Sequence, residues 1–226
     1  MKKLLILLLL YIGFIGITSA DIFETNALKL KELNFCLSCN FNGITLIGED
    51  FSGAYLSNAR FSGANFSKSN LSGAFLMEAN FTEANLSGAN LSGAILSGAN
   101  FTGAYLSEVD FSGALLNEAI FTEANLSGAN LSGAILSGAN FTGAYARGVD
   151  LSETNLSGAN LSGAYLNPSN LRWADLSNAD LSRADLRKSD LSWANLVGAN
   201  ITETQLNEAI FCNTEISWSE VDNSGC

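Results

Sequence analysis

Every fifth residue from Phe41 to Ile216 is Leu, Phe or Ile, and Ala146 is the one exception among 36 consecutive positions. A small residue, usually Ala, stands two places before each. Asn or Asp often stands one place before, and Ser or Thr, then often Gly, follow, so the repeated word reads Ala-Asn-Leu-Ser-Gly. Five matches neither the helical period of about 3.6 nor the strand period of about 2. A helix would spiral these Leu residues around its whole surface and carry a Gly in nearly every second turn, each costing about 1 kcal/mol against Ala. A plain strand would flip successive Leu residues between faces. The pattern therefore requires a backbone that turns a corner every five residues, with one large and one small side chain pointing inward on each short side. Repeats this short stack to share a core.

The word resembles the repeat of the pentapeptide-repeat family, Ala-(Asp/Asn)-Leu-x-x, over about four fifths of the chain. The resemblance implies an all-β fold, a right-handed quadrilateral β-helix with four pentapeptides per coil and about nine 20-residue coils over 41–216. It also implies that the Leu or Phe and the Ala two before it face inward, and that the other three residues face out. Residues 20 apart should then lie one above another. Phe41, Phe61, Phe81, Phe101, Phe121 and Phe141 are so spaced, and Leu161, Leu181 and Ile201 continue the column. Residues 81–105 recur unchanged at 121–145, an offset of two whole coils, so duplication preserved this register. Nine coils at ~4.8 Å each predict a rod of roughly 43 Å. Ala146 interrupts the inward column, where a Leu-sized gap would cost about 2–5 kcal/mol unless neighbours fill it. Glu49 stands at an inward small position, which predicts an irregular first coil. Ser69, Thr154, Ser169, Ser189, Thr204 and Thr214 also stand there, and their hydroxyls need backbone partners.

The ends differ from the repeat. Residues 1–20 read as a signal peptide, with Lys2 and Lys3, an apolar run from Leu4 to Ile17, and Thr18-Ser19-Ala20 before Asp21. The run is short for a membrane span, so the mature chain is expected to lack one; the alternative is an uncleaved anchor. No Cys stands at the cleavage point, which argues against a lipoprotein. Residues 21–40 carry no five-residue period and are expected to cap the first coil, with a short helix or irregular segment around Leu28, Leu30 and Leu33. Residues 217–226 form a thin C-terminal tail that includes Trp218 and Val221. By the resemblance, end-to-end pairing of two copies through it is open.

Four Cys in an exported chain read as disulfides. In the rod that the resemblance implies, Cys36 and Cys39 lie at the start and Cys212 and Cys226 at the end, too far apart to share one zinc ion, so the expected pairs are Cys36–Cys39 and Cys212–Cys226. A similar Cys-x-x-Cys precedes the repeats in exported members of the family, notably cyanobacterial ones. The alternative is a redox-active Cys36-Leu37-Ser38-Cys39, which lacks a thioredoxin-like βαβ pattern around it.

The sequence contains no His and offers no nucleophile–base pair, metal-ligand cluster or phosphate loop, so neither enzyme activity nor a cofactor is expected. Its many Asn-x-Ser/Thr sequons follow from the repeat. One outward column, Asp50, Asn70, Asn90, Asp110, Asn130, Asp150, Asn170 and Asp190, reads as an Asn/Asp ladder, with a calcium ladder as the alternative. A second column departs from the repeat: Tyr55, Phe75, Ile95, Leu115 and Ile135 stand where Asn or Asp is usual, and Trp173 and Trp193 follow on the same edge in later coils. Repeat drift with cross-coil apolar pairing is one reading. The other is a contact ridge for a protein partner, a second copy or a lipid surface.

A known activity in the family is gyrase protection by DNA mimicry, and the mature net charge of −13, two below the full chain's −11, invites that reading. Residues 41–200 nevertheless hold 14 acidic against seven basic residues. Duplex DNA of that length would carry ~22 negative charges. An exported protein also would not meet gyrase. The leading expectation is a non-enzymatic exported scaffold in periplasm, thylakoid lumen or medium, docking an unidentified partner along the ridge around Ile95, Leu115 and Ile135 and needing no small-molecule substrate or nucleic acid.

Overall fold

A computed structural model describes Leu30 and residues 34–217, 220–223 and 225–226. The signal reading of residues 1–20, most of the 21–40 cap and Trp218 lie outside the described residues.

The corner comes first. The amide of Ala54 donates to the carbonyl of Phe51 at 3.0 Å, closing a β-turn, and the same bond recurs at Ala114 to Phe111 at 3.0 Å and Ala194 to Leu191 at 3.0 Å. The third residue of each turn is left-handed: Gly113 has φ +62° and Glu118 has φ +57°. A positive φ suits Gly, which explains the Gly that ends so many repeats. Between corners each side is so short that one residue pairs with the coil above. Parallel bridges join residues 20 apart, from Phe35↔Tyr55 through Asn195↔Glu215. The result is the four-sided, right-handed β-helix. The first bridge falls at Phe35 and Cys36 is buried in an inward place, so coil pairing starts before Phe41.

The core is one column. Every five-residue anchor from Phe41 to Leu196 is buried, Ala146 included, as are the Ala residues two before them from Ala54 to Ala194. The Phe column stacks with ring centroids 5.2 Å apart at Phe41–Phe61 and 4.7 Å at Phe121–Phe141, the latter pair 13° from parallel. That separation is the coil rise itself. Phe66 meets Phe61 edge-on at 5.0 Å, filling the adjoining side.

Two readings can be compared with these details. Glu49 does not disorder its coil. It is half-buried, its carbonyl accepts the Asn70 amide at 2.9 Å, and the bridge at Asp50 is regular. The backbone ladder on either side sets the coil, and a single side chain cannot override it. The inward hydroxyls do find partners: Thr154 Oγ1 donates to Leu151 O at 2.6 Å, Ser189 Oγ to Leu166 O at 3.0 Å and Thr214 Oγ1 to Leu191 O at 2.8 Å.

At the C-terminal end β1 (Thr214–Ser217) and β2 (Glu220–Asp222) form an antiparallel pair. Disulfides join Cys36 to Cys39 and Cys212 to Cys226. Among the described residues no helix is long and apolar enough to cross a membrane.

Candidate functional site

The four outward columns of bridge residues define what the rod presents. In the Asx column the carboxylate oxygens are in use. Asp110 Oδ1 accepts from the Ser112 amide at 2.9 Å and from Asn130 Nδ2 at 3.2 Å. Asp150 Oδ1 likewise accepts from Ser152 N at 2.9 Å and Asn170 Nδ2 at 3.0 Å. Asp110 and Asp150 are thus each tied to their own corner and to the Asn one coil on, whereas Asp190 is tied to the Ser192 amide and to Arg172. Among the described residues no three His, Cys, Asp or Glu side chains gather as a metal site.

The apolar column is continuous. Tyr55, Phe75, Ile95, Leu115 and Ile135 bridge one to the next, and Phe35 adds a sixth level at the start. Their backbone groups are committed to the ladder: Phe75 N donates to Ala54 O at 2.8 Å, and Ile95 O accepts from Leu76 N at 2.7 Å. Only side chains are on offer. Tyr55 and Phe75 stack at 4.5 Å and 3° from parallel, with Phe35 tilted onto Tyr55 at 6.2 Å. Tyr55 is 49% and Ile135 38% exposed, with Phe75, Ile95 and Leu115 half-buried. Trp173 and Trp193 sit at the corner that leads into this side, each 50% exposed and each at positive φ. The Arg172 guanidinium lies over the Trp173 ring at 4.7 Å, a cation–π contact.

Two apolar features escaped the sequence reading. Phe35 stands 20 before Tyr55, but residues 21–40 show no period to place it. Tyr105, Tyr145 and Tyr165 are exposed on another side, and Tyr145 stacks on Tyr165 at 5.2 Å. Their signal was the same, an aromatic at an Asx position repeating at multiples of 20, but Asn125 interrupts it.

The charged residues concentrate in the last coils and pair there. Arg187 donates Nε to Asp185 Oδ1 at 2.8 Å and Nη2 to Oδ2 at 2.7 Å. Arg172 Nη1 reaches Asp190 Oδ2 at 3.1 Å, and Arg183 Nε reaches Glu203 at 2.8 Å. Arg187's side-chain hydrogen bonds hold the Asp185 carboxyl below the ordinary range against the opposing effect of burial. Burial pushes Asp190 up, but its bonds from Ser192 and Arg172 outweigh this and leave it lowered.

Comparison with known proteins gives this repeat a family. The family described as Pentapeptide repeats matches in eight copies, over 38–73, 59–98, 94–133, 134–172, 169–202 and 189–224. No curated protein matches significantly. Among solved structures, the chain is similar to HetL of the cyanobacterium Nostoc sp. strain PCC 7120, a pentapeptide repeat protein involved in heterocyst differentiation regulation. Identity is 30%, over 92% of this chain and 100% of that one, with a TM-score of 0.38. A pentapeptide repeat protein of the Arabidopsis thaliana thylakoid lumen is 34% identical over 54% of this chain and 67% of that one, with a TM-score of 0.19. QnrB1, a plasmid-mediated fluoroquinolone resistance protein, is 21% identical over 75% of this chain and 92% of that one, with a TM-score of 0.37. With the five-residue corner, the 20-residue coil and these matched repeats together, the chain belongs to the pentapeptide repeat family.

Proposed function

We propose that this protein is a non-enzymatic exported scaffold that docks a protein partner along the ridge from Tyr55 to Ile135. The observation that carries the reading is the ridge itself: apolar side chains on six consecutive coils from Phe35 to Ile135, exposed at both ends, against the two-level Tyr145–Tyr165 stack on another side. An isolated exposed Leu means little, but a contiguous apolar strip marks a contact. Export rests on residues 1–20 and on two disulfides, which persist in oxidising compartments. Buried Cys36 favours a stapling role for Cys36–Cys39 over a redox one, because thiol exchange needs access to sulfur. The DNA-mimic reading is weakened by the ion pairs of Asp185 and Asp190, which spend charge internally.

The test is Ile95→Glu with Leu115→Glu in one chain, followed by crosslinking in the native compartment. The expected result is an intact fold by circular dichroism with loss of every ridge-dependent crosslink. Unchanged crosslinks on a folded variant would remove the ridge from consideration.

A further inference from the structure

We propose that the occupant of the ridge is a second copy of this chain, lying parallel to the first and related to it by a two-fold axis along the rods. The proposal rests on the reading of the ridge as a contact surface, and it deepens that reading by naming the partner and its orientation.

The spacing of the ridge argues for the partner. Its side chains recur at the coil rise; the Tyr55 and Phe75 rings are 4.5 Å apart. A helix laid along the rod offers a contact about every 5.4 Å, so it drifts about 3 Å out of step over five levels. An extended strand offers one about every 6.6 Å and loses register within two or three levels. Another rod of the same coil rise stays in step along its whole length. Parallel stacks of identical side chains meeting across paired sheets are also the arrangement of dry, repeat-matched interfaces.

The corners argue for the orientation. The ridge side runs between two columns of left-handed corner residues. The column before it holds Gly53, Gly73, Gly93, Gly113 and Gly133, then Glu153, Trp173 and Trp193. The column after it holds Asn58, Glu78, Gly98, Glu118 and Gly138, then Gly158, Asn178 and Gly198. Level by level, bulk at one corner is matched by Gly or Asn at the other. Glu78 shares a level with Gly73, Glu118 with Gly113, Glu153 with Gly158, and Trp193 with Gly198. A parallel two-fold pairing sets each corner of one copy against the other corner of its mate, at the same level. Glu78, Glu118 and Glu153 then meet Gly, while Trp173 meets Asn178, and a Cβ added at Gly73, Gly113 or Gly158 would touch nothing within 4 Å, so there is space to receive the three Glu side chains.

Charge points the same way. From Ser69 to Ala146 the chain has six carboxylates and no basic residue. An antiparallel pairing would set the Glu78 and Glu118 corner against its own copy, and with its axis at Ile95 it would bring Glu78 of one copy against Glu118 of the other. The parallel pairing sets that corner against Gly. The ridge residues then meet their own copies, Tyr55 to Tyr55 and Ile135 to Ile135, because the two-fold axis runs along the column.

The test uses the native disulfides. Both pairs are closed and no free Cys remains among the described residues, so a single introduced thiol is unique. Tyr55→Cys and Ile135→Cys are made separately, with Asn125→Cys on the opposite side as control, and each is treated with a bismaleimide spanning about 8–10 Å, near the spacing of face-packed sheets. Sedimentation of the unmodified mature protein reports mass. The expected result is a doubled mass at micromolar protein, with both ridge variants, but not the control, linked to covalent dimers. Tyr55 and Ile135 are four coils apart, roughly 19 Å, so an antiparallel pair can bring at most one of them to the axis. A doubled mass with linking at only one position, or at neither, overturns the parallel arrangement. A monomer that links at neither position overturns self-pairing. In that case a different protein crosslinked through Ile95 would keep the ridge as a contact surface, and none would overturn both readings.

Discussion

Asp185 stands in a bridge column where most coils carry Asn or Tyr, and it is 6% exposed. Its carboxylate is sustained by two hydrogen bonds from Arg187, whose side chain is half exposed, and these hold its pKa below the ordinary value. A lowered folded pKa adds stability that is complete above the unfolded value of ~3.9 and is lost as pH falls through the lowered folded value. Thermal midpoints should therefore stay flat from neutral pH to about pH 5 and fall below about pH 4. Asp185→Asn should make that acid limb shallower, since it removes the proton-binding group while keeping an amide the column tolerates. An acid limb of unchanged slope in the variant would assign the loss to other carboxylates, Asp50 and Asp180 first, both lowered by hydrogen bonds from the corner Ser two residues on. Side chains at the small inward positions act on the same scale. Where Val replaces Ala, at Val109 and Val149, the turn bond lengthens to 3.3 Å, against 2.9 Å at Ala99. The β-branched side chain needs room that the corner does not leave.

The element here is the coil, and its neighbours decide its strength. A coil in mid-rod is covered above and below, so Leu136 is fully buried. Among the described residues the last coil has only β1 and β2 beyond it, and its inward Ile201 is 47% exposed. Leu136→Ala should cost about 2–5 kcal/mol through lost transfer energy and a cavity. Ile201→Ala should cost about 1 kcal/mol or less, because roughly half its surface never left water. Chemical unfolding of the two variants separates them, and equal losses would mean that the last coil is covered in solution. The alternation of Glu and Gly at the corners belongs to the coil as well. Glu78 lies against Gly98, where an added Cβ would come within 3.4 Å of the Glu78 Cγ. Each long side chain thus rests on the bare corner one coil on, and carboxylates in that column stay two levels apart.

For the whole molecule the open question is the end. A solenoid is stabilised by nearest-neighbour contacts, so its terminal coils open first. The C-terminal tail returns to the last coil through Gly225 N to Phe211 O at 2.6 Å and Asn213 N to Asn223 Oδ1 at 3.0 Å, and the Cys212–Cys226 disulfide closes that loop. A closed loop of about 15 residues constrains the unfolded chain by about 3 kcal/mol. Replacing Cys212 and Cys226 together by Ser should speed amide exchange across residues 200–217 and leave residues 60–150 unchanged. Faster exchange along the whole rod would show that the fold is one cooperative unit and that the tail governs all of it.

The five-residue period by itself determined the corner and the inward positions, because a backbone that buries every fifth side chain must turn every five residues; the 20-residue coil came from the family resemblance, and the Phe spacing from Phe41 to Phe141 agrees with it. It also located the ridge from Tyr55 to Ile135, as a departure from Asx at one phase of the coil. Where the period failed, the tertiary structure decided. Phe35 joins the ridge and Cys36 enters the core only because the next coil's hydrogen bonds draw them into register. Glu49 sits in a regular coil for the same reason, and Ile201 is exposed because, among the described residues, no further coil covers it. Corner pairing across the ridge, bulk against Gly level by level, became visible only when residues five apart in sequence proved to flank one side of the rod. Sequence spacing fixes which residues share a column. Which columns border one another, and what covers the ends, depends on contacts between coils.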